Sequence, residues 1–312
     1  MPDQLPAPLP LPLFERLTIV GAGLIGSSIA RAARQQNVAT AVIVVDNDDK
    51  VVDRVKELGF ASQATTDIKD GVTDSDLVIL CVPVGACKSV AKTMKSALKR
   101  GAIVSDVGSV KCSVVEQVSP YLPEGVHFVP AHPVAGTEHS GPDAGFPSLF
   151  NNRWCILTPS ADANQAIVEK MRSFWEALGS NVETMEAQHH DLVLAITSHV
   201  PHLIAYNIVA TAADLEKVTQ SEVIKFSAGG FRDFTRIAAS DPTMWRDVFL
   251  HNKEAVLEML GRFNEDISVL TRAIRVGDGD ALFDLFTRTR SIRRNIISHG
   301  QETDEPDFGR KR

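Results

Sequence analysis

The sequence predicts an α/β domain built on a parallel, doubly wound sheet, followed by an all-helical domain. Up to about residue 185, short and continuously apolar runs alternate with helical segments. Such runs, separated by helices, are typical of parallel strands that are buried on both faces of a sheet. From Ala187 onward one helix follows another, with breaks at Gly229-Gly230, Asp241-Pro242 and Gly277-Asp278-Gly279. We therefore expect a flexible lead (1–13), a sheet domain (14–185), a helical domain (186–300) and a disordered tail (301–312).

Seven segments carry the strand pattern. Each of the first three is followed by a residue that begins a turn or stops a strand. The first is followed by Gly21 and the second by Asp46, whereas Pro83 stops the third because proline has no N–H group for the ladder. The predicted strands are Leu17–Val20, Ala41–Val45, Leu77–Val82, Ala102–Ser105, Val126–Pro130, Trp154–Leu157 and Val182–Met185.

Helices connect these strands, as a parallel sheet requires. The second helix ends at Leu58 because Gly59 follows it, in the position that glycine favours after a helix. The predicted helices run from the Gly21–Gly26 segment to about Gln35, from Asp46 to Leu58, from Pro83 to Leu98, over Val110–Val118 and over Ala163–Leu178.

The longest apolar segment, Leu192–Ala213, belongs to the helical domain. It is interrupted by His199, Pro201, His202 and Asn207, so we interpret it as a buried helix and not as a membrane span. The helix is apolar nearly all round, and a half-sized domain could hardly bury it alone. We therefore expect a homodimer in which this helix packs against a second copy of the chain.

Length, composition and charge are those of a globular protein. The 312 residues, 44% of them hydrophobic, can form two domains with sizeable cores. The net charge of −7 argues against a general nucleic-acid binder, which would carry a basic face. The 4 cysteines form no Cys-x-x-Cys pair and have no zinc-ligand spacing, so we expect no metal site. The proline-rich start lacks the basic and apolar regions of a signal peptide, and we expect a cytoplasmic location.

A glycine-rich segment, Gly21-x-Gly23-x-x-Gly26, follows the first predicted strand and opens a helix through Leu24 and Ile25. Gly21 would make the tight turn, Gly23 would let the backbone approach a pyrophosphate, and Gly26 would let helix and strand pack closely. The helix N-terminus would present free N–H groups to the phosphates. An ordinary turn without a ligand is the alternative, but the strand–turn–helix context favours a Rossmann-type dinucleotide site.

Asp46, at the end of the second strand, indicates which dinucleotide binds. A carboxylate here accepts hydrogen bonds from the adenine ribose hydroxyls and would repel a 2′-phosphate. No arginine follows it, although Lys50 could soften the repulsion, so NAD is favoured over NADP. Val82 and Pro83 end the strand beside the expected crevice and are predicted to line the nicotinamide side. Pro83 could equally begin the next helix, and the two interpretations do not exclude each other.

Two polar residues follow further predicted strands. Ser109 could simply cap a helix, and His132 could simply be a satisfied polar group at a strand end. Each follows a parallel strand, however, so both are expected at the carboxyl edge where the glycine turn lies. A histidine with the ordinary pKa of about 6.5 can be neutral and ready to accept a proton at working pH.

Five segments carry a more specific pattern. They are Val20–Ser28 (VGAGLIGSS), Asp106–Lys111 (DVGSVK), His132–Gly141 (HPVAGTEHSG), Ser198–His202 (SHVPH) and Gly229–Trp245 (GGFRDFTRIAASDPTMW). In this order, over roughly residues 15–298, they resemble the prephenate and arogenate dehydrogenases of tyrosine biosynthesis. The resemblance implies an NAD-dependent enzyme that removes hydride from the hydroxyl-bearing ring carbon while a base takes the hydroxyl proton, after which carbon dioxide leaves and the ring becomes aromatic.

The resemblance also implies roles for individual residues. His132 would be the base, Ser109 would orient it and contact both the hydroxyl group and the nicotinamide, and Lys111 would support the cofactor side. Arg236 would clamp a substrate carboxylate, which suits the planar fork of an arginine. A local salt bridge with Asp233 is the alternative interpretation for Arg236, and we expect that pair to form as well, with Asp233 aiming Arg236.

The substrate pocket is expected to include the remaining residues of these segments. His202 would line it with His199 as a packed neighbour, while Trp245 is expected in the core or at the dimer seam. The other expected pocket residues are Thr137 and Glu138 at the mouth and Gly136, which with Pro133 holds His132 out of the sheet edge.

Two other functions are considered. A β-hydroxyacid dehydrogenase would share the dinucleotide half and a helical half, but this chain has no Gly-x-x-x-Lys-x-x-x-Asn segment. A non-catalytic dinucleotide sensor would leave His132 and Arg236 without a role.

Overall fold

A computed structural model of the chain describes residues 12–219 and 225–298. The predicted tail lies outside the described residues, as does the predicted lead except for its last two positions, of which Leu13 is already buried. By their internal contacts the residues form two compact units, Met1–Val256 and Leu257–Arg312. The predicted boundary between a sheet domain and a helical domain near residue 185 stays a prediction.

The central sheet has six parallel strands in the order β3-β2-β1-β4-β5-β6, which confirms the predicted doubly wound sheet. Alternate residues of one central strand lie in different cores: Leu77 and Ile79 pack in one, Val78 and Leu80 in the other. The sheet is therefore covered on both faces, which explains why its strands are apolar without alternation. The strands are β1 (Phe14–Val20), β2 (Ala39–Val45), β3 (Gln63–Thr65), β4 (Leu77–Leu80), β5 (Ile103–Asp106) and β6 (His127–Phe128).

The strand order reverses between β1 and β4. From β1 the chain goes outward through β2 and β3, then returns to β4 on the other side and continues to β5 and β6. The crevice beyond the carboxyl ends of β1 and β4 is the place where open α/β sheets bind ligands. The glycine-rich turn follows β1 and so lies at this crevice.

Six helices belong to the sheet-forming part of the chain. All five predicted helices are present, and the short helix α3 between β3 and β4 was not predicted, as β3 was not, because neither has an apolar run. The helices are α1 (Leu24–Gln35), α2 (Asp49–Leu58), α3 (Ile68–Val72), α4 (Cys87–Met94), α5 (Lys111–Val118) and α6 (Gln165–Ala177).

A second, three-stranded sheet carries His132. It is formed by β7 (Ala131–Pro133), β8 (Trp154–Leu157) and β9 (Asn181–Thr184), with β7 antiparallel to β8. The sequence pattern did not separate these strands from the central sheet. The chain leaves that sheet at Pro130, which has no N–H group to continue the ladder and whose carbonyl accepts the N–H of Thr158 at 2.9 Å.

The rest of the described chain is helical, as predicted. A π-helical turn, Ala195–His199, interrupts the apolar segment between α7 (Ala187–Leu194) and α8 (Val200–Thr219). Such turns inside helices often occur at functional sites. The later helices are Gly229–Thr235, Pro242–His251, Lys253–Val276 and Gly279–Ser298.

The apolar segment is only partly buried within one chain, in line with the expectation that a half-sized domain could hardly bury it alone. By length and composition alone, Ala187–Leu215 could cross a membrane, and 28% of its most apolar window is buried. A core helix of a soluble protein passes the same test, so this is weak support for a span. The large apolar side chains that it leaves exposed are Leu192, Ile196, Ile208, Val209 and Leu215.

Candidate active site

The glycine-rich turn has the geometry that close packing and ligand approach require. Gly21 has φ of +103°, and a Cβ atom there would lie 2.4 Å from the carbonyl oxygen of Cys81 at the neighbouring strand end. At Gly26 a Cβ atom would lie 2.0 Å from the Gly21 carbonyl oxygen. The space beside Gly23 is open, since apart from its immediate neighbours along the chain no heavy atom lies within 4 Å of its ideal Cβ position. An open backbone surface at the start of α1, with Leu24 and Ile25 as its first residues, fits a pyrophosphate.

Asp46 lies at the same turn. Its carboxylate accepts the N–H of Ala22 at 2.8 Å and the N–H of Asp48 at 3.1 Å. The negative charge is therefore held at the carboxyl end of β2, beside the glycine-rich segment. This position agrees with the expected role of a ribose acceptor and disfavours a 2′-phosphate nearby.

Val82 and Pro83 lie just beyond β4, which ends at Leu80 and not at Val82 as predicted. Val82 is half-buried and Pro83 is exposed. The turn that follows, Val84–Ala86, is joined to the helix Pro242–His251, because Asp247 accepts the N–H of Gly85 at 3.3 Å. The segment expected on the nicotinamide side is thus tied to a helix from the later part of the chain.

Lys111 has a different role from the predicted one. Its side chain is fully buried, and its ammonium forms an ion pair with Asp106 while donating to the carbonyl of Ala131 at 2.7 Å. Asp106 in turn accepts the N–H of Ala131 at 3.2 Å. A group without exposed surface cannot contact the cofactor, so the expectation of a cofactor contact for Lys111 is wrong. The pair instead tethers the residue before His132 to the end of β5.

The His132 ring is hydrogen-bonded to another histidine, and the expected orientation of His132 by Ser109 stays a prediction. Its Nδ1 lies 2.9 Å from Nε2 of His190, and Nδ1 of His190 lies 2.8 Å from a carboxylate oxygen of Asp191. Asp191 also accepts the N–H groups of Lys111 and Cys112, at 2.7 and 2.9 Å, at the N-terminus of α5. The sequence analysis missed His190 and Asp191. The local signal was a run of polar residues, His189-His190-Asp191, directly before the apolar segment Leu192–Ala213.

Burial keeps His132, His190 and His199 electrically neutral. Desolvation lowers the pKa of His132 well below the ordinary 6.5, with further lowering by His190, Lys111 and His199. Desolvation also lowers the pKa of His190, and it lowers the pKa of His199 to about 4. The His132 ring is therefore unprotonated at neutral pH and able to accept a proton.

The two histidines of the Ser198–His202 segment differ in their surroundings. His199 is fully buried, and its Nδ1 lies 3.0 Å from the amide nitrogen of Asn252. His202 is half-buried, donates from Nδ1 to the Ser198 carbonyl at 2.8 Å, and stacks on the buried Trp245 with ring centroids 3.6 Å apart. This hydrogen bond leaves Nε2 of His202 for another partner. Trp245 lies in the core, which is one of the two positions predicted for it.

Arg236 pairs with the rim, which is the segment 134–141 that contains the predicted pocket-mouth residues Thr137 and Glu138. Its guanidinium lies 3.1 Å from a carboxylate oxygen of Glu138, 98 positions away along the chain. Burial lowers the pKa of His202, and the positive charge of Arg236 lowers it further. Asp233 pairs with Arg232 at 3.4 Å, so the expectation that Asp233 aims Arg236 is wrong. The exposed Thr137 and Gly136 lie on the same rim as Glu138.

The rim is followed by a segment that is fixed to the dinucleotide-binding fold. Asp143 binds Arg54 of α2 through contacts of 2.6 to 3.1 Å, and the N–H of Phe146 donates to the Ser28 hydroxyl of α1 at 3.1 Å. A Cβ atom at Gly145 would lie 2.6 Å from Cβ of Ser27, so this segment lies directly against α1. Within residues 12–219 and 225–298, no group of three His, Cys, Asp or Glu side chains could hold a metal ion.

Two models of known protein families match the chain. The model described as prephenate dehydrogenase, nucleotide-binding domain, matches residues 29–184. The model described as prephenate dehydrogenase, dimerization domain, matches residues 186–288.

Individual relatives match over nearly the whole chain. The cyclohexadienyl dehydrogenase of Zymomonas mobilis is 43% identical over 281 residues, which are 90% of this chain and 96% of that protein. The prephenate dehydrogenase of Bacillus subtilis is 31% identical over 280 residues, covering 89% of this chain and 75% of that protein.

Solved structures show the same fold. Prephenate dehydrogenase from Aquifex aeolicus, crystallised with hydroxyphenyl propionate and NAD+, is similar with a TM-score of 0.84 at 32% identity, covering 90% of this chain and 98% of that chain. Synechocystis arogenate dehydrogenase is similar with a TM-score of 0.75 at 26% identity, covering 90% of this chain and 99% of that chain.

Proposed function

Because the chain belongs to the prephenate dehydrogenase family, we propose that it oxidises and decarboxylates prephenate, arogenate or both, with His132 as the base and Arg236 as the carboxylate clamp. The cofactor is NAD, as the nucleotide-binding domain and the NAD+ complex of the Aquifex aeolicus structure support. When bound, NAD supplies the hydride acceptor. The residues of this chain then have to bind the substrate, orient its hydroxyl-bearing carbon and remove the hydroxyl proton.

The observation that carries this proposal is the position and neutrality of His132. The residue before it is tethered to Asp106 at the carboxyl end of β5, on the sheet edge where the glycine-rich turn also lies. Burial lowers the pKa of His132, so its imidazole is available as a base. Loss of the hydroxyl proton to this ring would accompany departure of the hydride from the same carbon, and general-base assistance of this kind contributes about 10²- to 10⁴-fold in rate.

The clamp role of Arg236 rests on its charge and its neighbours. Its guanidinium pairs with Glu138 on the rim, and, after burial, its positive charge further lowers the pKa of His202. A substrate carboxylate would share or replace this partner, because the guanidinium has five N–H donors and Glu138 contacts one of its nitrogens. We further assign Thr137, Gly136 and His202 to the substrate pocket.

Two further assignments concern the cofactor side and the assembly. Ser109 is proposed to contact the substrate hydroxyl and the nicotinamide, since it follows β5 at the sheet edge where the glycine-rich turn also lies. A homodimer is proposed through the helical segment, because α7 to α8 leave large apolar side chains exposed in one chain and the matching family domain is described as a dimerization domain. We propose a cytoplasmic location, without membrane or nucleic-acid partners.

A paired assay tests the proposed reaction. We expect reduced nicotinamide to form from NAD with prephenate, with arogenate or with both, and NADP to be the poorer cofactor because Asp46 holds a negative charge at the ribose position. The assay follows absorbance of the reduced nicotinamide for the four combinations of substrate and cofactor. Activity with neither substrate would overturn the proposed function.

Replacement of Arg236 by glutamine is expected to raise the Michaelis constant for the cyclohexadienyl substrate. Loss of hydrogen bonds to a charged group costs about 1.5–3 kcal/mol, which corresponds to about a 10- to 150-fold higher constant. Steady-state kinetics with varied substrate and saturating NAD measure it. Arg232→Gln is the matched control, because Arg232 has the same side chain with 75% exposure and pairs with Asp233. A Michaelis constant in Arg236→Gln equal to that of the control would contradict the clamp.

A further inference from the structure

A chain of three buried side chains runs from the candidate site to the N-terminus of α5. It begins at Nδ1 of His132, passes through both ring nitrogens of His190 and ends at the carboxylate of Asp191, with contacts of 2.9 and 2.8 Å. The exposed fractions of the three residues are 8%, 0% and 5%. The remaining nitrogen of His132, Nε2, takes no part in this chain.

The positions of the protons along these three hydrogen-bonded side chains follow from Asp191, where the series ends. Asp191 accepts two backbone N–H groups of α5, at 2.7 and 2.9 Å. These bonds and that with His190 lower the pKa of Asp191 against the effect of burial, so the carboxylate is ionised and can only accept. Nδ1 of His190 must therefore carry a hydrogen.

The same reasoning extends to the second ring. Since burial lowers the pKa of His190, its ring is neutral, and with Nδ1 protonated its Nε2 has only a lone pair. The 2.9 Å contact then requires a hydrogen on Nδ1 of His132. In a neutral His132 ring this leaves the lone pair on Nε2.

We propose that His190 and Asp191 are positioning residues for His132: they hold its imidazole in the tautomer with the lone pair on Nε2, and they stabilise the imidazolium that forms when Nε2 accepts the substrate hydroxyl proton. The proposal rests on the proposed base role of His132. In the proton transfer, the hydroxyl O–H bond breaks and an N–H bond forms at Nε2, while the Nδ1 hydrogen stays bonded toward His190. A carboxylate that fixes a histidine tautomer in this way is known from hydrolytic triads, where the carboxylate acts directly.

The charges around His132 explain why such support is needed. Besides desolvation, the groups that oppose a positive charge on His132 are His190, His199 and the buried ammonium of Lys111. Asp106 neutralises Lys111 through their ion pair. Asp191 is the carboxylate whose effect reaches His132 along a hydrogen-bonded path, through His190.

Variants of His190 test the proposal better than variants of Asp191, because Asp191 also binds the backbone at the start of α5. We expect His190→Leu to lower kcat by about 10²-fold or more, with the Michaelis constants for NAD and substrate unchanged. His190→Gln is expected to recover a part of this loss, since a glutamine oxygen can still accept from Nδ1 of His132. His189→Leu is the matched control at the exposed neighbouring histidine and should keep the wild-type kcat.

A spectroscopic measurement separates positioning from a purely structural role. In ¹⁵N NMR spectra of protein labelled at its 9 histidines, His132 should show a protonated Nδ1 and an unprotonated Nε2, with the signals assigned by their loss in His132→Asn. A protonated Nε2 in the neutral wild-type ring would overturn the proposal without any activity measurement. This readout also holds if His190→Leu does not fold.

The outcomes distinguish the proposal from the function on which it rests. If His132→Asn keeps full turnover, the base assignment fails, whatever the tautomer. If His132→Asn is impaired and folded His190→Leu retains the wild-type kcat, the positioning role fails and the proposed function stands. Equal losses in His190→Gln and His190→Leu would contradict the tautomer-holding role, because glutamine preserves the acceptor.

Discussion

Replacement of His132 by asparagine is expected to lower turnover by about 10²- to 10⁴-fold while NAD binding is retained. Asparagine keeps a polar side chain of similar reach but cannot accept the hydroxyl proton as a base. The residues assigned to NAD lie at the ends of other strands, at Gly21–Gly26 after β1 and at Asp46 after β2, so the change should not reach them. Steady-state kinetics give the turnover, and quenching of protein fluorescence by NAD gives the binding constant.

The control for this variant is His127→Asn, in the edge strand β6 of the central sheet. It should keep the wild-type turnover. The wild-type pH profile is a second check: protonation of His132 removes the base, and burial lowers its pKa well below 6.5, so kcat/KM should stay level as the pH falls from neutral through 6.5. An inactivating titration at or above pH 6.5, or full turnover in His132→Asn, would contradict the assignment.

Replacement of Lys111 by methionine is expected to destabilise the protein by about 3–5 kcal/mol, because it leaves Asp106 charged and without its partner in the core. Lys111 is 0% exposed and Asp106 is 1% exposed, so water cannot take the place of the lost ammonium. The Ala131 carbonyl also loses a donor at 2.7 Å. The measurement is the denaturant midpoint of the first unfolding transition, monitored by tryptophan fluorescence.

The matched control is Lys99→Met. Lys99 forms an ion pair with Asp76 at 2.6 Å, but these side chains are 37% and 27% exposed. A partly solvated pair of this kind contributes about 0–1 kcal/mol, so the same substitution should have a much smaller effect there. Equal shifts in the two variants would show that the buried pair is not the stabilising element we infer.

The residues that sequence analysis found are those whose role depends on local context. Gly21 and Asp46 were predicted from the order strand, glycine turn, helix and acidic residue, and their positions in the structure agree with that prediction. His132 and Arg236 came from segments specific to a family. Each of these signals lies within a few residues of the position that it identifies.

The residues that sequence analysis missed or misassigned depend on contacts between distant segments. His190 lies 58 positions from His132, and Glu138 lies 98 positions from Arg236. Helical spacing favoured Asp233 as the partner of Arg236, since three-residue neighbours share a helix face, but the tertiary contact prevailed. Lys111 carries no mark of burial in its sequence, because a lysine is rarely buried unless its charge is paired.

The second sheet was missed for a similar reason. Apolar runs identify strands but do not say which strands pair, and β8 and β9 read like further members of the parallel sheet. The departure at Pro130 is a local event whose significance depends on Asp106 and Lys111, which hold the next residue in its new position. These polar contacts leave no trace in an apolar pattern, so the pattern alone could not predict the pairing.

The exposure of the rim has a consequence for how freely its sequence can vary. Its sequence before Pro142 is exposed at Val134, Gly136, Thr137, His139 and Ser140. On one side the chain is paired in β7, and on the other Asp143 and Gly145 fix it to α2 and α1. Exposed positions away from packed contacts usually tolerate substitution within about 0.5 kcal/mol. Substitutions in this short span should therefore leave the folding core and the sheet domain unaffected, so a combinatorial library of the span can test its proposed part in substrate choice.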